Sequence, residues 1–308
     1  MSFHDDRRFK QLKSFLGESL RTNEMLKKHC TFRIGGPAEY FAAIKSTINL
    51  PHVLIFCKEA GIPVTVIGWG SNILFPDEGI AGLVIKYSAD GIRFDDEIIN
   101  VQAGALLPAL AGTVATNCLT GLEFACGIPG TVGGAIVMNA GVKYESIGAL
   151  VEKISGFNLE GSKFSLNKGQ ISFGYRSSNI LHGERFITDA VLKLKHDDPS
   201  KIRKKMTDFS EKRKTTQPLE FPSAGSIFKN PEGMPAWQLI EQAGCRGLRI
   251  GDAQVSEKHA NFIINLGNAT ARDVKSLIEE VRNRVEKISG IKLQLEVIDM
   301  TGKSKVSL

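Results

Sequence analysis

Apolar residues recur at helical spacing at Leu50, Val53, Leu54 and Cys57, behind Asn49 and Pro51, and Gly61 follows. That pattern predicts a helix ended by the glycine. Leu107, Leu110, Ala111 and Val114 predict a second helix by the same spacing. Short apolar runs predict strands at 39–44, 64–67, 83–85 and 98–102, and longer ones at 151–159 and 186–194. Pro199 opens a basic helix with Ile202, Met206 and Phe209 on its inner face, closed by Gln217-Pro218. Thr270 with Asp273 resembles a helix start, and Val274, Leu277, Ile278, Val281, Val285 and Ile288 keep the 3.6-residue period until Gly290. Ile291, Leu293, Leu295 and Val297 then alternate with Lys292, Gln294 and Glu296, predicting a strand with one polar face, and 262–266 predicts another. The pattern reads as α+β, a strand-rich first part followed by a smaller mixed second part.

Length and composition narrow the class. A chain of 308 residues with 42% apolar content can build two domains with real cores. The net charge of +6 is mild, and much of the basic excess sits in Lys201, Arg203, Lys204, Lys205, Lys212, Arg213 and Lys214. On a helix such a run is a solvated face. With two Trp and four Tyr to stack on bases and no reader motif, nucleic-acid binding is not expected. A small anionic substrate suits the charge better. Cys30, Cys57, Cys118, Cys126 and Cys245 are odd in number and widely spaced, so neither a disulfide framework nor a metal site is expected. There is no apolar signal core beside Asp5, Asp6, Arg7 and Arg8, and no eighteen-residue apolar run, so the sequence predicts a reduced, cytoplasmic protein without a membrane segment.

Two glycine-rich loops carry the candidate chemistry. The first is Gly68-Trp69-Gly70-Ser71-Asn72, directly after the run at 64–67. The second is Gly127-Ile128-Pro129-Gly130-Thr131-Val132-Gly133-Gly134. Bare backbone amides in such turns form a nest for an anion such as a diphosphate. No Gly-Lys-Ser/Thr follows, and the glycine spacing does not match Gly-x-Gly-x-x-Gly. One loop alone reads equally well as a bend between packed strands. Two loops about sixty residues apart with almost no charge suggest one long dinucleotide gripped from two sides.

Three polar segments follow. Pro222-Ser223-Ala224-Gly225-Ser226-Ile227-Phe228-Lys229-Asn230-Pro231 offers a serine near a lysine, either a rigid turn or a proton donor to a basic carbanion. It is not a Gly-x-Ser-x-Gly elbow. Gly174-Tyr175-Arg176 offers an arginine that could clamp a carboxylate, or could be a surface charge. Gln254-Val255-Ser256-Glu257-Lys258-His259-Ala260-Asn261 is a dense polar run in which His259 is a ligand contact or a structural hydrogen-bonder.

In this order the segments resemble the UDP-N-acetylenolpyruvoylglucosamine reductase (MurB) family of peptidoglycan synthesis. The matching words are Thr31-Phe32-Arg33-Ile34-Gly35-Gly36-Pro37-Ala38, the two glycine loops within 68–72 and 121–141, and Gly174-Tyr175-Arg176. Gln217-Pro218-Leu219-Glu220, 223–231, 253–264 and Leu295-Glu296-Val297 complete a resemblance that covers about residues 22 to 300.

The resemblance implies an FAD-binding region of the p-cresol methylhydroxylase/vanillyl-alcohol oxidase type at 1–200, in two α+β subdomains of about 1–86 and 87–200. A C-terminal α+β substrate domain at 201–308 would follow. It implies that NADPH reduces the flavin and that the flavin gives hydride to UDP-N-acetylglucosamine enolpyruvate. Carried over by motif, Ser226 is the proton donor, and Arg176 and Glu296 stabilise the developing charge. Arg33, Gly68, Trp69, Gly70, Ser71, Asn72, Gly127, Ile128, Pro129, Gly130, Thr131, Gly133 and Gly134 are the implied FAD contacts. Arg213, Lys229, Asn230 and His259 are the implied substrate contacts. No metal and no obligatory protein partner is implied. The glycine loops contain no histidine to tether a flavin, so non-covalent FAD is expected over the covalent flavin common among sugar and alcohol oxidases of the superfamily. A non-catalytic nucleotide-sugar binder is the reading from another class. Ile298 stands where relatives often have arginine, Asp252 where they have glycine, and Cys126 where a small residue is usual. Only 50 residues separate Arg176 from Ser226, with the basic helix between them, so the chain resembles the subclass without an inserted tyrosine loop.

Overall fold

The computed structural model describes residues 3–142, 144–181 and 185–301; the ends of the two predicted regions, 1–2 and 302–308, lie outside these. Near the N-terminus a four-stranded sheet has the spatial order Leu20–Met25, Pro37–Ile44, Ile80–Tyr87, Val64–Ile67. The first pair is antiparallel and the other two are parallel. Helices α1 (Phe3–Leu16) and α2 (Leu50–Glu59) cover one face, and α2 is the crossover that the parallel pairing requires. Tyr40, Ala42, Ile44, Leu83 and Ile85 point into that core, whereas Phe41, Ile67 and Val84 point into another. Burial on both faces explains why 64–67 reads as an unbroken apolar run rather than an alternating one.

A five-stranded antiparallel sheet follows, ordered Lys163–Asn167, Val151–Asn158, Arg185–Lys193, Ile98–Gln102, Ile92–Asp95. Its inner face packs with α3 (Leu107–Thr116) and α4 (Val132–Val137) into the first core. The glycine run read as open loop therefore closes into a six-residue helix, capped by Thr131, whose hydroxyl accepts from the Gly134 amide. The basic helix α5 (Pro199–Thr216) packs on this first region through Phe209, with Ile202 buried beneath it. Lys205 adds an ion pair to the buried Glu123 at 3.6 Å.

Beyond Gln217 lies a second four-stranded antiparallel sheet, Ser223–Ser226, Phe262–Asn265, Ala253–Val255, Arg249–Ile250, with α6 (Ala236–Gln242) and α7 (Ala271–Ser289). α7 carries the predicted capping box and ends at Gly290 in the left-handed conformation, φ 72°. Its apolar stripe meets the far face of the first sheet, so Phe32, Phe41, Phe75 and Val84 share a core with Leu239, Val274, Leu277 and Val281. The strand predicted over 291–297 does not form. That segment makes one bridge, Leu295 to Phe228, and the strand that follows is Ile298–Asp299, parallel to Ile73–Leu74 of the first region. The chain leaves its own domain's sheet there for a partner in the first region, which breaks the ladder but keeps Leu293 and Val297 buried.

Candidate active site

Both glycine loops line one cleft. The loop at 68–72 leaves the end of a parallel strand, where ligand clefts of such sheets form. Gly70 sits at φ 69°, and a Cβ there would strike the His29 carbonyl. Gly68 touches the Thr131 hydroxyl at a distance no side chain would allow. The Ser71 hydroxyl donates to the Pro129 carbonyl at 2.8 Å and so fixes one loop to the other. The backbone amides of Trp69, Gly70, Ser71, Asn72, Gly130 and Thr131 have no acceptor among the described residues. Gly133 and Gly134 do not belong to this donor set, because their amides are spent on the Ala103 carbonyl (2.8 Å) and the Thr131 hydroxyl (3.3 Å). The smallness of Gly133 serves close packing, since a Cβ there would stand 3.0 Å from that of Ala103, whereas Gly134 lines the cleft. Free amides on two facing loops, with no acidic residue in either loop, fit the diphosphate of an FAD.

The same cleft is lined by Arg176, Ser226 and Glu296, which come from three separate parts of the chain. Arg176 occupies a two-residue turn between Phe173–Gly174 and Ser177–Ser178 at φ 51°, a position where glycine or asparagine is usual. Its Nε donates to Glu296 Oε1 at 2.9 Å, and both side chains are largely buried. Burial pushes the Glu296 carboxyl above its ordinary value; the Arg176 charge and hydrogen bond, and then Lys229, oppose that rise. Glu296 is delivered by the C-terminal return: the Asn72 side-chain amide donates to the Glu296 carbonyl at 3.0 Å, and the Ile298 amide donates to the Asn72 carbonyl at 2.9 Å. Ser226 ends a strand whose register with 262–265 shifts between Ser223 and Ser226, and a bulge of this kind re-aims a side chain. Asn261, 4% exposed, pins the segment after it through the Phe228 amide and carbonyl.

The remaining sequence-derived residues are not all brought to the cleft. Arg213 lines it, with its side chain against Gly127. Arg33 is exposed and outside the lining. Lys229 is felt by Glu296 but does not line the cleft. Asn230 caps α6, its Oδ1 accepting from the Ala236 amide at 2.9 Å, and its own amide donates to the Tyr175 hydroxyl. His259 is half-buried, accepts from the Asn261 amide through Nδ1 and stands edge-on to Phe262 at 4.8 Å. Burial lowers its pKa. Ile298 lines the cleft as an apolar wall, Asp252 is held by Arg249 and the Asn268 amide, and Cys126 Sγ meets the Met206 carbonyl. Gln217, Met138, Val142 and Phe262 also line the cleft and have no sequence signal beyond their place in longer words; Gln217 stands in one of the matching words without a role. Among the described residues no group of acidic, histidine or cysteine side chains could hold a metal ion.

Two family models match separate parts of the chain. Residues 217–299 match the model of the UDP-N-acetylenolpyruvoylglucosamine reductase C-terminal domain, and residues 38–159 match that of an FAD binding domain. The chain is 40% identical over 291 residues to the UDP-N-acetylenolpyruvoylglucosamine reductase of Clostridium tetani, covering 94% of each chain. It is 44% identical over 283 residues to that of Carboxydothermus hydrogenoformans, covering 89% of this chain and 92% of the relative. The crystal structure of the Thermus caldophilus reductase superposes with a TM-score of 0.78 at 36% identity, over 91% of this chain and 99% of that one. The chain belongs to the UDP-N-acetylenolpyruvoylglucosamine reductase family, with an FAD binding domain ahead of the family's C-terminal domain.

Proposed function

We propose that the protein reduces UDP-N-acetylglucosamine enolpyruvate to UDP-N-acetylmuramate, a cytoplasmic step of peptidoglycan precursor synthesis, with FAD held non-covalently. The observation that carries this reading is the convergence of Ser226 and the buried Arg176–Glu296 pair on the cleft lined by both glycine loops. An FAD held there would furnish, for the methylene carbon of the enolpyruvyl ether, a hydride taken from NADPH.

Hydride addition places negative charge on the carbon next to the carboxylate, and preorganised donors lower the cost of that charge. The Arg176 guanidinium is such a donor. Glu296 serves in its protonated form, which its buried setting favours. Ser226 gives its hydroxyl proton to the carbon bearing the carboxylate and completes the saturated ether. A serine is a weak acid, but a carbanionic carbon is a strong enough base to take its proton. The amides of 69–72 and 130–131 hold the cofactor's diphosphate, and Lys229, Asn230, His259 and Arg213 are assigned to the substrate side. The reading needs no metal, nucleic acid or protein partner, and no helix among the described residues is long and apolar enough to cross a membrane.

Anaerobic mixing with NADPH, then with the enolpyruvyl nucleotide sugar, tests the proposal. Flavin absorbance should fall on the first addition and return on the second, with one UDP-N-acetylmuramate formed per flavin. A reduced flavin that the nucleotide sugar fails to reoxidise would sink it.

A further inference from the structure

Arg176 is carried on a segment that cannot hold it in place unaided. Its hairpin pairs only Phe173 with Ser178 and Gly174 with Ser177, and Arg176 turns the chain at φ 51°. A hairpin this short has little stability of its own, and an arginine stays in the left-handed region only when its surroundings impose it. A guanidinium that must meet Glu296 at 2.9 Å therefore needs support from outside the hairpin.

The C-terminal end of α4 supplies one tie to each strand. The Asn139 Nδ2 amide donates to the Gly174 carbonyl at 2.8 Å, and the Ser178 hydroxyl donates to the Val137 carbonyl at 2.7 Å. Val137 ends α4, where a helix leaves carbonyls without a donor of its own. Asn139 is itself held firmly. It is 9% exposed, sits at φ 46°, which asparagine tolerates, and its Oδ1 accepts from the Gly148 amide at 3.1 Å. A backbone amide can only donate, so Oδ1 must face Gly148 and Nδ2 is left to face Gly174. A Cβ on Gly148 would meet both Asn139 Oδ1 and the Phe173 ring at 2.6 Å, so the bare glycine lets helix end and hairpin close together. Met138 and Ala140 line the cleft, but Asn139 between them does not. Its side chain is committed to the hairpin.

We propose that Asn139, with Ser178, is a positioning residue for Arg176: the two bonds fasten the hairpin to α4 and hold the guanidinium on Glu296. The other end of α4 is capped by Thr131 of the second glycine loop, so one short helix spans from the cofactor loops to the arginine's support. The catalytic consequence rests on the role given to Arg176 above; the fastening itself does not.

Arg176 opposes the rise that burial imposes on the Glu296 carboxyl, and Lys229 is the other cation that does so. A loosened hairpin relaxes the contribution of Arg176 and leaves that of Lys229, so Glu296 should stay protonated to higher pH. Asn139→Gly permits the same backbone conformation without the side chain. Ser178→Ala removes the second bond alone and serves if the first variant does not fold. In each, deuterium uptake over residues 172–180 should quicken, while flavin content and reduction by NADPH stay native. Reoxidation by the nucleotide sugar should slow by roughly three- to tenfold, the usual contribution of one hydrogen bond, and its alkaline limb should move to higher pH. In an Arg176→Met background neither change should slow reoxidation further. Native uptake in the variants overturns the fastening. Faster uptake with an unmoved limb, equal slowing of both half-reactions, or slowing that persists in the Arg176→Met background overturns the positioning role. If Arg176→Met by itself leaves reoxidation native, the reading of Arg176 fails, and deuterium uptake alone decides whether Asn139 and Ser178 hold the hairpin.

Discussion

Glu296 is subject to opposed influences, and its protonation is where this site is most sensitive to pH. Burial raises its pKa and Arg176 lowers it, with the rise prevailing. Reoxidation of the flavin by substrate should therefore be fastest below that raised value and fall as pH climbs through it. Glu296→Gln removes the titration, so the alkaline limb assigned to it should vanish from the single-turnover profile; an unchanged limb would assign it elsewhere. The same sign governs stability: a raised folded pKa gives a contribution present at and below the ordinary carboxyl value and lost as pH rises through the folded one. At Ser226 the expectation is kinetic. Reduction by NADPH needs no proton at the substrate carbon, so Ser226→Ala should bleach at the native rate. Reoxidation should slow by about 10²–10⁴-fold, the usual contribution of a positioned acid. Equal slowing of both halves would make Ser226 a shaping residue and move the proton donor elsewhere.

At the scale of elements, the glycine loops do two different jobs that their sequence does not separate. Those at 68 and 70 permit contact with Thr131 and with the His29 carbonyl, and 130 and 131 offer amides, whereas within α4 Gly133 packs on Ala103 and Gly134 gives its amide to the Thr131 hydroxyl. Gly70→Val must fit a β-branched residue at φ 69° against a carbonyl, and Gly130→Val must fit one at φ 143° with its Cβ 3.1 Å from Ser71 Oγ. Both variants should purify without flavin, by absorbance at the flavin band. Normal flavin content in both would take the loops out of the cofactor site. Each change should also cost roughly 1–3 kcal/mol in backbone strain.

The whole molecule is held together by a core that crosses the domain boundary. Thr31 donates to the Ser223 carbonyl at 2.7 Å and Asn265 donates to the Phe32 carbonyl at 3.1 Å. Asp77 of the first region accepts from the first two amides of α7, Ala271 at 2.8 Å and Arg272 at 3.1 Å, groups a helix cannot satisfy itself. Asp77→Ala should lower the urea-unfolding free energy by about 1–2 kcal/mol, the range for losing a helix cap. A fragment starting at residue 217 lacks Phe32, Phe41, Phe75 and Val84 from its core and should show no cooperative thermal transition by circular dichroism. A sharp transition in that fragment would show that the domain folds alone.

Sequence alone determined α2, α3, α5 and α7 and the longer apolar strands, because local periodicity records which face of an element is buried. It gave Val64–Ile67 and Ile98–Gln102 to the residue and both ends of α7, whose Thr270, Asp273 and Gly290 satisfy or terminate the backbone locally. The words that carried the family were also local. Missed were α1 and α6, and the helical start hidden in the glycines of α4, since glycine's poor propensity is overridden there by packing against Ala103 and the first core. The alternation at 291–297 was real as burial but misleading as a strand, because its backbone meets 227–229 in a single bridge before the chain crosses at Ile298–Asp299 to Ile73–Leu74, more than two hundred residues away. That long-range pairing brings Glu296 to Arg176. The free amides likewise depend on what surrounds each group in space, which only the tertiary structure decides.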